Sequence, residues 1–135
     1  MIGLDTNVIV RYLVQDDPEQ AALASHVFED VLSTGNRGFV SSVVLCEVVW
    51  VLKRGYKVRK PGLCRVLRGL LAAEELELEQ RDLVSKAVDR FESGKADFSD
   101  YLVGERAREA GAPATLSFDE SACSCDLFEF PTASR

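Results

Sequence analysis

The sequence predicts an α/β fold of three layers (α/β/α), with a central parallel sheet flanked by helices on both faces. Short apolar runs alternate along the chain with longer segments of helical periodicity, which is typical of strands separated by crossover helices. Connections of that length favour parallel pairing. The sequence shows no linker, repeat or low-complexity tract, so we expect a single domain over residues 1–135.

The first strand and the first helix meet at an acidic residue. The apolar run "IGL" ends at Asp5, and Asp5 or Thr6 caps a helix that continues through "VIVRYLV". A second helix begins in "QDDPEQ", with Pro18 near its first turn. Its apolar residues keep the helical spacing, which predicts an end near Gly35.

The remaining elements follow the same alternation. "GFVSS" is predicted to be a strand, and its serines cap a strongly apolar helix over residues 43–53. Further helices are predicted over residues 61–73, in "RDLVSKAVDRFESG" with an end at Gly94, and in "KADFSDYLVGERAREAG" with an end at Gly111. "ATLSF" and "DLFEF" are the last two predicted strands.

Two acids directly follow predicted strands. Asp5 comes after the first strand, and Asp119 interrupts the end of "ATLSF". Ligands of open parallel sheets bind outside the carboxyl ends of the strands, and these ends lie at one edge. We therefore expect Asp5 and Asp119 to face the same region.

Three further acids lie at or near predicted helix starts. Glu47 is surrounded by apolar residues in "SVVLCEVVWVL", and burying an ionised carboxylate is costly unless it is paired or binds a metal. The alternative for Glu47 is a structural contact with an Arg or a backbone donor. Asp97 and Asp100 stand on one face of a helix start, where the alternative is simple capping.

Taken together, these acids predict a metal site. Carboxylates gathered in one place raise one another's pKa, and a hard divalent cation with oxygen ligands, Mg²⁺ or Mn²⁺, relieves the repulsion. Such an ion activates water for attack on a phosphodiester. The predicted chemistry is hydrolysis, in which a carboxylate such as Glu47 or Asp97 accepts the proton.

Four segments carry a resemblance to a known family: "LDTNVIVRYL", "SSVVLCEVVWVL", "KADFSDYLVGERAREAG" and "TLSFDESA". Together they resemble the PIN-domain nucleases, in particular the VapC-type toxins of bacterial toxin–antitoxin pairs. The resemblance implies a PIN-like fold and endoribonuclease activity on RNA. It also implies a homodimer and a cognate antitoxin that blocks the metal cleft.

The resemblance assigns roles residue by residue. Asp5, Glu47, Asp100 and Asp119 match the four metal acids of the family, and Asp97 is kept beside Asp100 as a further catalytic candidate. Asn7 matches an asparagine that orients the first acid. Ser117 stands where a hydroxyl often makes a hydrogen bond within the site.

The charge is unevenly distributed. The net charge is −6, yet residues 53–68 contain seven Lys or Arg and no acid. A solvated helix end is the alternative explanation of such a run. Together with Tyr56 as a stacking surface, the run is a candidate RNA contact, with weak affinity expected in the absence of divalent ions. The predicted RNA-binding residues are Arg11, Lys53, Arg54, Lys57, Arg59 and Lys60.

The sequence has no apolar segment long enough to span a bilayer and no secretory leader, so we expect a cytoplasmic protein without a membrane partner. Its four cysteines lack CxxC spacing and fit reduced thiols.

Two other function classes stay open. A phosphoryl-transfer enzyme of haloacid-dehalogenase type would use Asp5 as a nucleophile, but it needs a second Asp two positions later, where this chain has Asn7. The other class is a non-catalytic interaction module, which the acids at every motif position disfavour.

Overall fold

The computed structural model describes residues 1–133, which contain six α-helices and five short β-strands. The helices are α1 (Thr6–Val14), α2 (Pro18–His26), α3 (Ser42–Gly55), α4 (Lys60–Ala72), α5 (Arg81–Ser93) and α6 (Phe98–Glu109). The strands are β1 (Ile2–Gly3), β2 (Gly38–Val40), β3 (Leu76–Leu78), β4 (Thr115–Leu116) and β5 (Phe128–Glu129). Every strand pair is parallel, in the order β1-β2-β3 in one group and β4-β5 in another. The predicted α/β class with parallel strands is therefore confirmed.

The chain divides into two compact units, Met1–Arg81 and the part from Asp82 onward. The first unit holds β1 to β3 and α1 to α4, and its α3 packs against both α1 and α4. The second unit holds nearly all of α5, together with α6, β4 and β5, and its α6 packs against β4. The acids predicted for the site are thus distributed over both units.

The second predicted helix ends earlier than expected. The α-helix α2 begins after Asp17, whose side chain accepts from the Gln20 N–H at 3.1 Å, and it ends at His26. A π-helical turn over Val27–Val31 follows. It is closed by a hydrogen bond in which the Leu32 N–H donates to the Val27 carbonyl, five residues earlier, at 2.9 Å. Leu32 is extended, so the helical segment stops before the predicted end near Gly35. Periodicity alone does not reveal this wider last turn.

The strand β3 was not predicted from the sequence pattern. Leu76–Leu78 pairs with β2 in parallel, with Gly38 opposite Leu76 and Val40 opposite Leu78. Leu76 and Leu78 are buried, whereas Glu77 between them is exposed. Three residues are too few to show a clear alternation of apolar and polar side chains in the acidic stretch "AAEELELE". Pairing with β2 therefore determines that this segment is a strand.

In the second unit, α6 lies close to β5 because Gly104 has no side chain. A Cβ atom at Gly104 would lie 2.9 Å from the Cβ of Leu127. An ion-pair network runs alongside: Arg90 Nε contacts Glu105 Oε1 at 2.6 Å, and Arg90 Nη1 contacts Asp126 Oδ1 at 2.7 Å. Hydrogen bonds from Arg90 and from Arg108 hold the pKa of Asp126 below its ordinary value. The buried Glu105 is thereby paired.

None of the four cysteines, at 46, 64, 123 and 125, forms a disulfide, and all four lie within the described residues. Across residues 1–133, we find no helix that combines the length and the apolar character needed to cross a membrane.

Candidate active site

The N-terminus of α1 links two of the predicted acids through one residue. Asp5 is the N-cap of α1, and its Oδ1 accepts a hydrogen bond from the Thr6 backbone N–H at 2.7 Å. The Thr6 hydroxyl donates to Glu47 Oε1 on α3 at 3.0 Å. Asp5 and Glu47 are far apart in sequence, and both contact Thr6. The first unit therefore brings together two of the predicted metal acids.

Glu47 is exposed, which corrects the expectation of a carboxylate buried in an apolar helix. The helix α3 buries Leu45 and Val48 on its inner face, whereas Trp50, one turn after Glu47, is 63% exposed. Tertiary packing covers only one face of α3, and Glu47 lies on the other. The desolvation argument consequently does not apply, and the case for Glu47 rests on its hydrogen bond with Thr6.

The donor atoms at this position suit a hard divalent cation. Asp5 and Glu47 supply carboxylate oxygens, and Thr6 supplies a hydroxyl. Mg²⁺ prefers oxygen ligands, and it commonly takes one or two carboxylates and keeps several waters. Among the residues that the structure describes, no group of three or more His, Cys, Asp or Glu side chains is arranged to hold a metal ion. The pair therefore suits a hard divalent cation by the type of its donor atoms alone.

Asp97 and Asp100 form a capping box at the start of α6. Asp97 is the N-cap, its backbone N–H donates to Asp100 Oδ2 at 3.1 Å, and its side chain accepts from the Asp100 backbone. The capping role considered as the alternative for both residues is therefore present. Their roles in metal binding and catalysis stay predictions.

Ser117 directly follows β4, and Asp119 comes two residues later, so both lie just beyond the carboxyl end of a parallel strand. The Asp119 backbone N–H donates to Ser117 Oγ at 3.0 Å. Asp119 Oδ1 accepts from the backbone N–H groups of Ser121 at 2.8 Å and of Ala122 at 3.4 Å. Ser117 thus shapes the turn that carries Asp119, which agrees with a supporting role for its hydroxyl.

Thr6, which the sequence pattern did not single out for the site, contacts both acids. Asn7, expected to orient Asp5, is exposed and lines a cavity of about 230 Å³ together with Arg11 and Gln20. Asp5 Oδ1 instead accepts from the Thr6 backbone N–H. The sequence did contain a signal for Thr6, namely a side-chain hydroxyl directly after the acid that caps α1. The role predicted for Asn7 stays a prediction.

Arg11 and Tyr56 have partners of their own within the first unit. Arg11 Nη1 donates to the Tyr56 hydroxyl at 3.1 Å and to Asp16 Oδ1 at 3.3 Å, and Nε donates to Gln20 Oε1 at 2.8 Å. The Tyr56 hydroxyl donates to Asp16 Oδ2 at 2.8 Å. The hydrogen bond with Tyr56 and the charge of Asp16 raise the pKa of Arg11 above its ordinary value. Contact of RNA with Arg11 or Tyr56 would require these hydrogen bonds to be shared or broken.

The other predicted RNA-binding residues lie where α3 ends and α4 begins. Lys57 has a φ of 56°, and the following Val58 N–H donates to the Leu52 carbonyl at 3.0 Å, which reverses the chain after α3. This turn leaves most of the basic side chains in solvent. Lys53, Arg54, Lys57 and Arg59 are exposed, and Lys60 is half-buried.

Comparison with known proteins agrees with this geometry. Residues 2–126 match the PIN domain family. A protein named VapC ribonuclease, from Aquifex aeolicus (strain VF5), is 26% identical over 115 residues, which cover 85% of this chain and 84% of that protein. Because the family match extends over most of the sequence, from the first strand to the segment before β5, the chain belongs to the PIN-domain family.

Proposed function

We propose that the chain is a metal-dependent endoribonuclease that hydrolyses RNA phosphodiester bonds, and that it is the toxin of a VapC-type toxin–antitoxin pair. Membership of the PIN-domain family and the similarity to a protein named VapC ribonuclease support this proposal. The structural observation that carries it is the link from Asp5 through Thr6 to Glu47. This link places two carboxylates where a polymeric substrate has access, because both acids are exposed.

Asp5 and Glu47 would hold a divalent cation, Mg²⁺ or Mn²⁺, with Thr6 orienting both carboxylates. When bound, the cation supplies acidification of the attacking water and neutralisation of the phosphate charge. A carboxylate such as Glu47 or Asp97 would accept the proton released by the water. Asp97, Asp100 and Asp119 complete the set of acids that the sequence predicts, and their inclusion rests on the resemblance described above.

The proposal extends to partners and location. RNA is the substrate, and the exposed basic residues between α3 and α4 attract its phosphates. A cognate antitoxin inhibits the enzyme, which acts in the cytoplasm as a homodimer of a single-domain chain.

The first test is RNA cleavage by the purified chain. Structured and single-stranded RNAs are incubated with Mg²⁺ or Mn²⁺, with EDTA, and with Asp5→Asn and Glu47→Gln proteins. Glu29→Gln is the matched control, because Glu29 is an exposed acid elsewhere in the first unit. We expect cleavage by the wild-type and control proteins, and its loss with EDTA and in both site variants. Cleavage that survives EDTA would contradict a metal-dependent mechanism.

A binding measurement tests the site without activity. A cation that binds the folded chain raises its melting temperature by mass action. We expect Mn²⁺ to raise the melting temperature of the wild-type and Glu29→Gln proteins but not of Asp5→Asn or Glu47→Gln. An equal rise in all four proteins would place the cation elsewhere.

A further inference from the structure

Two exposed phenylalanines stand at the carboxyl ends of β4 and β5. Phe118 is 77% exposed and Phe130 is 52% exposed. Their ring centroids are 5.5 Å apart with an interplanar angle of 81°, an edge-to-face arrangement. We call these two residues the Phe118–Phe130 pair. Neighbouring Leu116, 49% exposed, extends the same apolar surface along the chain.

The strand pairing holds the Phe118–Phe130 pair next to a predicted site acid. The Ser117 N–H donates to the Glu129 carbonyl at 3.0 Å, so Phe118 and Phe130 each follow a residue of this bonded pair. Phe118 directly precedes Asp119, and the Asp119 N–H is bonded to Ser117 Oγ at 3.0 Å. One turn therefore fixes both an exposed aromatic ring and the carboxylate of Asp119.

The stretch of sequence that carries the pair supplies no cation of its own to attract phosphate. Residues 110–133 contain four acids and no Lys or Arg. The two rings are uncharged, so they suit the face of an uncharged base. Bases without a pairing partner stack on aromatic side chains, with little preference for sequence.

We propose that the Phe118–Phe130 pair is a stacking platform for one unpaired base of the RNA strand, beside the bond that Asp119 helps to cut. The inference rests on the proposed ribonuclease function and deepens it, because it names two residues that contact the RNA beside the proposed cut. A base held inside a duplex cannot present its face to the ring, so duplex RNA is a poor substrate.

The test combines protein variants with altered RNA. Single-stranded RNA that the wild-type protein cleaves is compared with the same RNA carrying an abasic nucleotide at each position around the cut. The proteins are wild type, Phe118→Ala, Phe130→Ala and Phe118→Tyr, which keeps an aromatic ring. The control is Val103→Ala, which removes an exposed apolar side chain from α6 (52% exposed).

We expect Phe118→Ala to raise KM about ten-fold with a smaller change in kcat, because stacking contributes to binding. Phe118→Tyr restores KM, and Val103→Ala leaves it unchanged. One abasic position should raise the KM of the wild-type protein by a similar factor but not that of Phe118→Ala. Such non-additivity of the protein and RNA changes would assign the lost binding free energy to the contact between one base and one ring.

The outcomes separate the inference from the proposed function. Wild-type protein that cleaves no RNA contradicts the ribonuclease itself. Wild-type cleavage combined with an unchanged KM for Phe118→Ala overturns the platform alone. If Phe118→Ala does not fold, the abasic RNAs are compared with the wild-type and Phe130→Ala proteins instead. An equal KM for all abasic RNAs overturns the platform.

Discussion

Thr6 uses two different groups to contact two carboxylates. Its backbone N–H belongs to the N-terminus of α1, where the helix dipole favours negative charge, and it donates to Asp5. Its hydroxyl reaches α3 and donates to Glu47. Both acids are exposed, so water also hydrates them. A single residue thus sets the position of both carboxylates of the proposed metal site.

Replacing the hydroxyl should therefore reduce activity without unfolding the chain. We expect Thr6→Val to lower kcat about ten-fold, equivalent to about 1.4 kcal/mol, because Glu47 loses a donor that orients it. Thr6→Ser keeps the hydroxyl and should stay near wild type. Steady-state cleavage of RNA is the measurement, with circular dichroism as the check on folding. Equal loss in Thr6→Ser and Thr6→Val would show that the hydroxyl is not the cause.

At the scale of elements, β3 matters because of the residue that follows it. Glu79 comes directly after β3, and its Oε1 accepts from the Ser42 N–H at the start of α3 at 2.8 Å. Ser41 caps the same helix by accepting from the Val44 N–H at 3.2 Å. The helix that carries Glu47 is thereby held at its N-terminus by a carboxylate and a hydroxyl, in agreement with the preference of this helix end for anions.

We expect Glu79→Ala to lower the free energy of unfolding by about 1 kcal/mol, because the Ser42 N–H loses a charged acceptor. Glu74→Ala is the matched control, as Glu74 is an exposed acid just before β3. Urea unfolding followed by circular dichroism measures the difference. An equal change in the free energy of unfolding of both variants would contradict this role.

The network of Arg90, Arg108 and Asp126 predicts a dependence of stability on pH. The pKa of Asp126 is lowered by its hydrogen bonds with Arg90 and Arg108, from an ordinary value of 3.8. The network therefore stabilises the fold above pH 3.8, and this contribution is lost as the pH falls through the lowered pKa. The effect is small, because the side chain of Asp126 is 67% exposed and solvent screens its charge.

The measurement is urea unfolding between about pH 5 and pH 2, where paired carboxylates protonate. We expect Asp126→Asn to be less stable than wild type at the upper end and to lose less stability on acidification. Glu109→Gln, which removes an exposed acid of α6, serves as the control. If the stability of Asp126→Asn fell with pH as steeply as that of the wild-type protein, this carboxylate would be excluded as a source of the pH dependence.

At the scale of the whole molecule, charge is segregated along the sequence. The chain has a net charge of −6, with seven basic residues concentrated in residues 53–68 and none in residues 110–133. Phosphate attraction is thus confined to few places, and the base-stacking contact proposed for the Phe118–Phe130 pair supplies affinity where charge opposes it. Binding of RNA without divalent ions should be weak and depend strongly on salt.

Replacing three exposed cations should weaken that salt dependence. We expect Arg54→Gln, Lys57→Gln and Arg59→Gln combined in one protein to reduce the slope of log K against log salt by about 2, at about 0.7 per single-strand phosphate. Fluorescence anisotropy of labelled RNA in EDTA measures binding without cleavage. A triple variant with the same charge change, Lys86→Gln, Lys95→Gln and Arg106→Gln, is the control. Equal slopes in the two triple variants would show that net charge alone matters.

Much of the fold was predictable because its signals are local. Asp5, Ser41 and Asp97 cap helices as their residue types and positions indicate. The early end of the second helix was not predictable, because a π-helical turn keeps the apolar spacing of an ordinary helix over so few residues. Of the site, the link between Asp5 and Glu47 lay beyond the sequence pattern, since it depends on a Thr6 contact across 41 positions.

The sequence by itself determined the helices, the parallel direction of the strands and the family, because capping, periodicity and motif spacing involve residues close together in the chain. Only the tertiary structure decided that Leu76–Leu78 is a strand, that Glu47 faces solvent, and that Arg11 and Tyr56 bind each other. The physical reason is common to all three. Strand pairing, the covered face of a helix and hydrogen bonds between distant side chains depend on which surfaces meet when the chain folds.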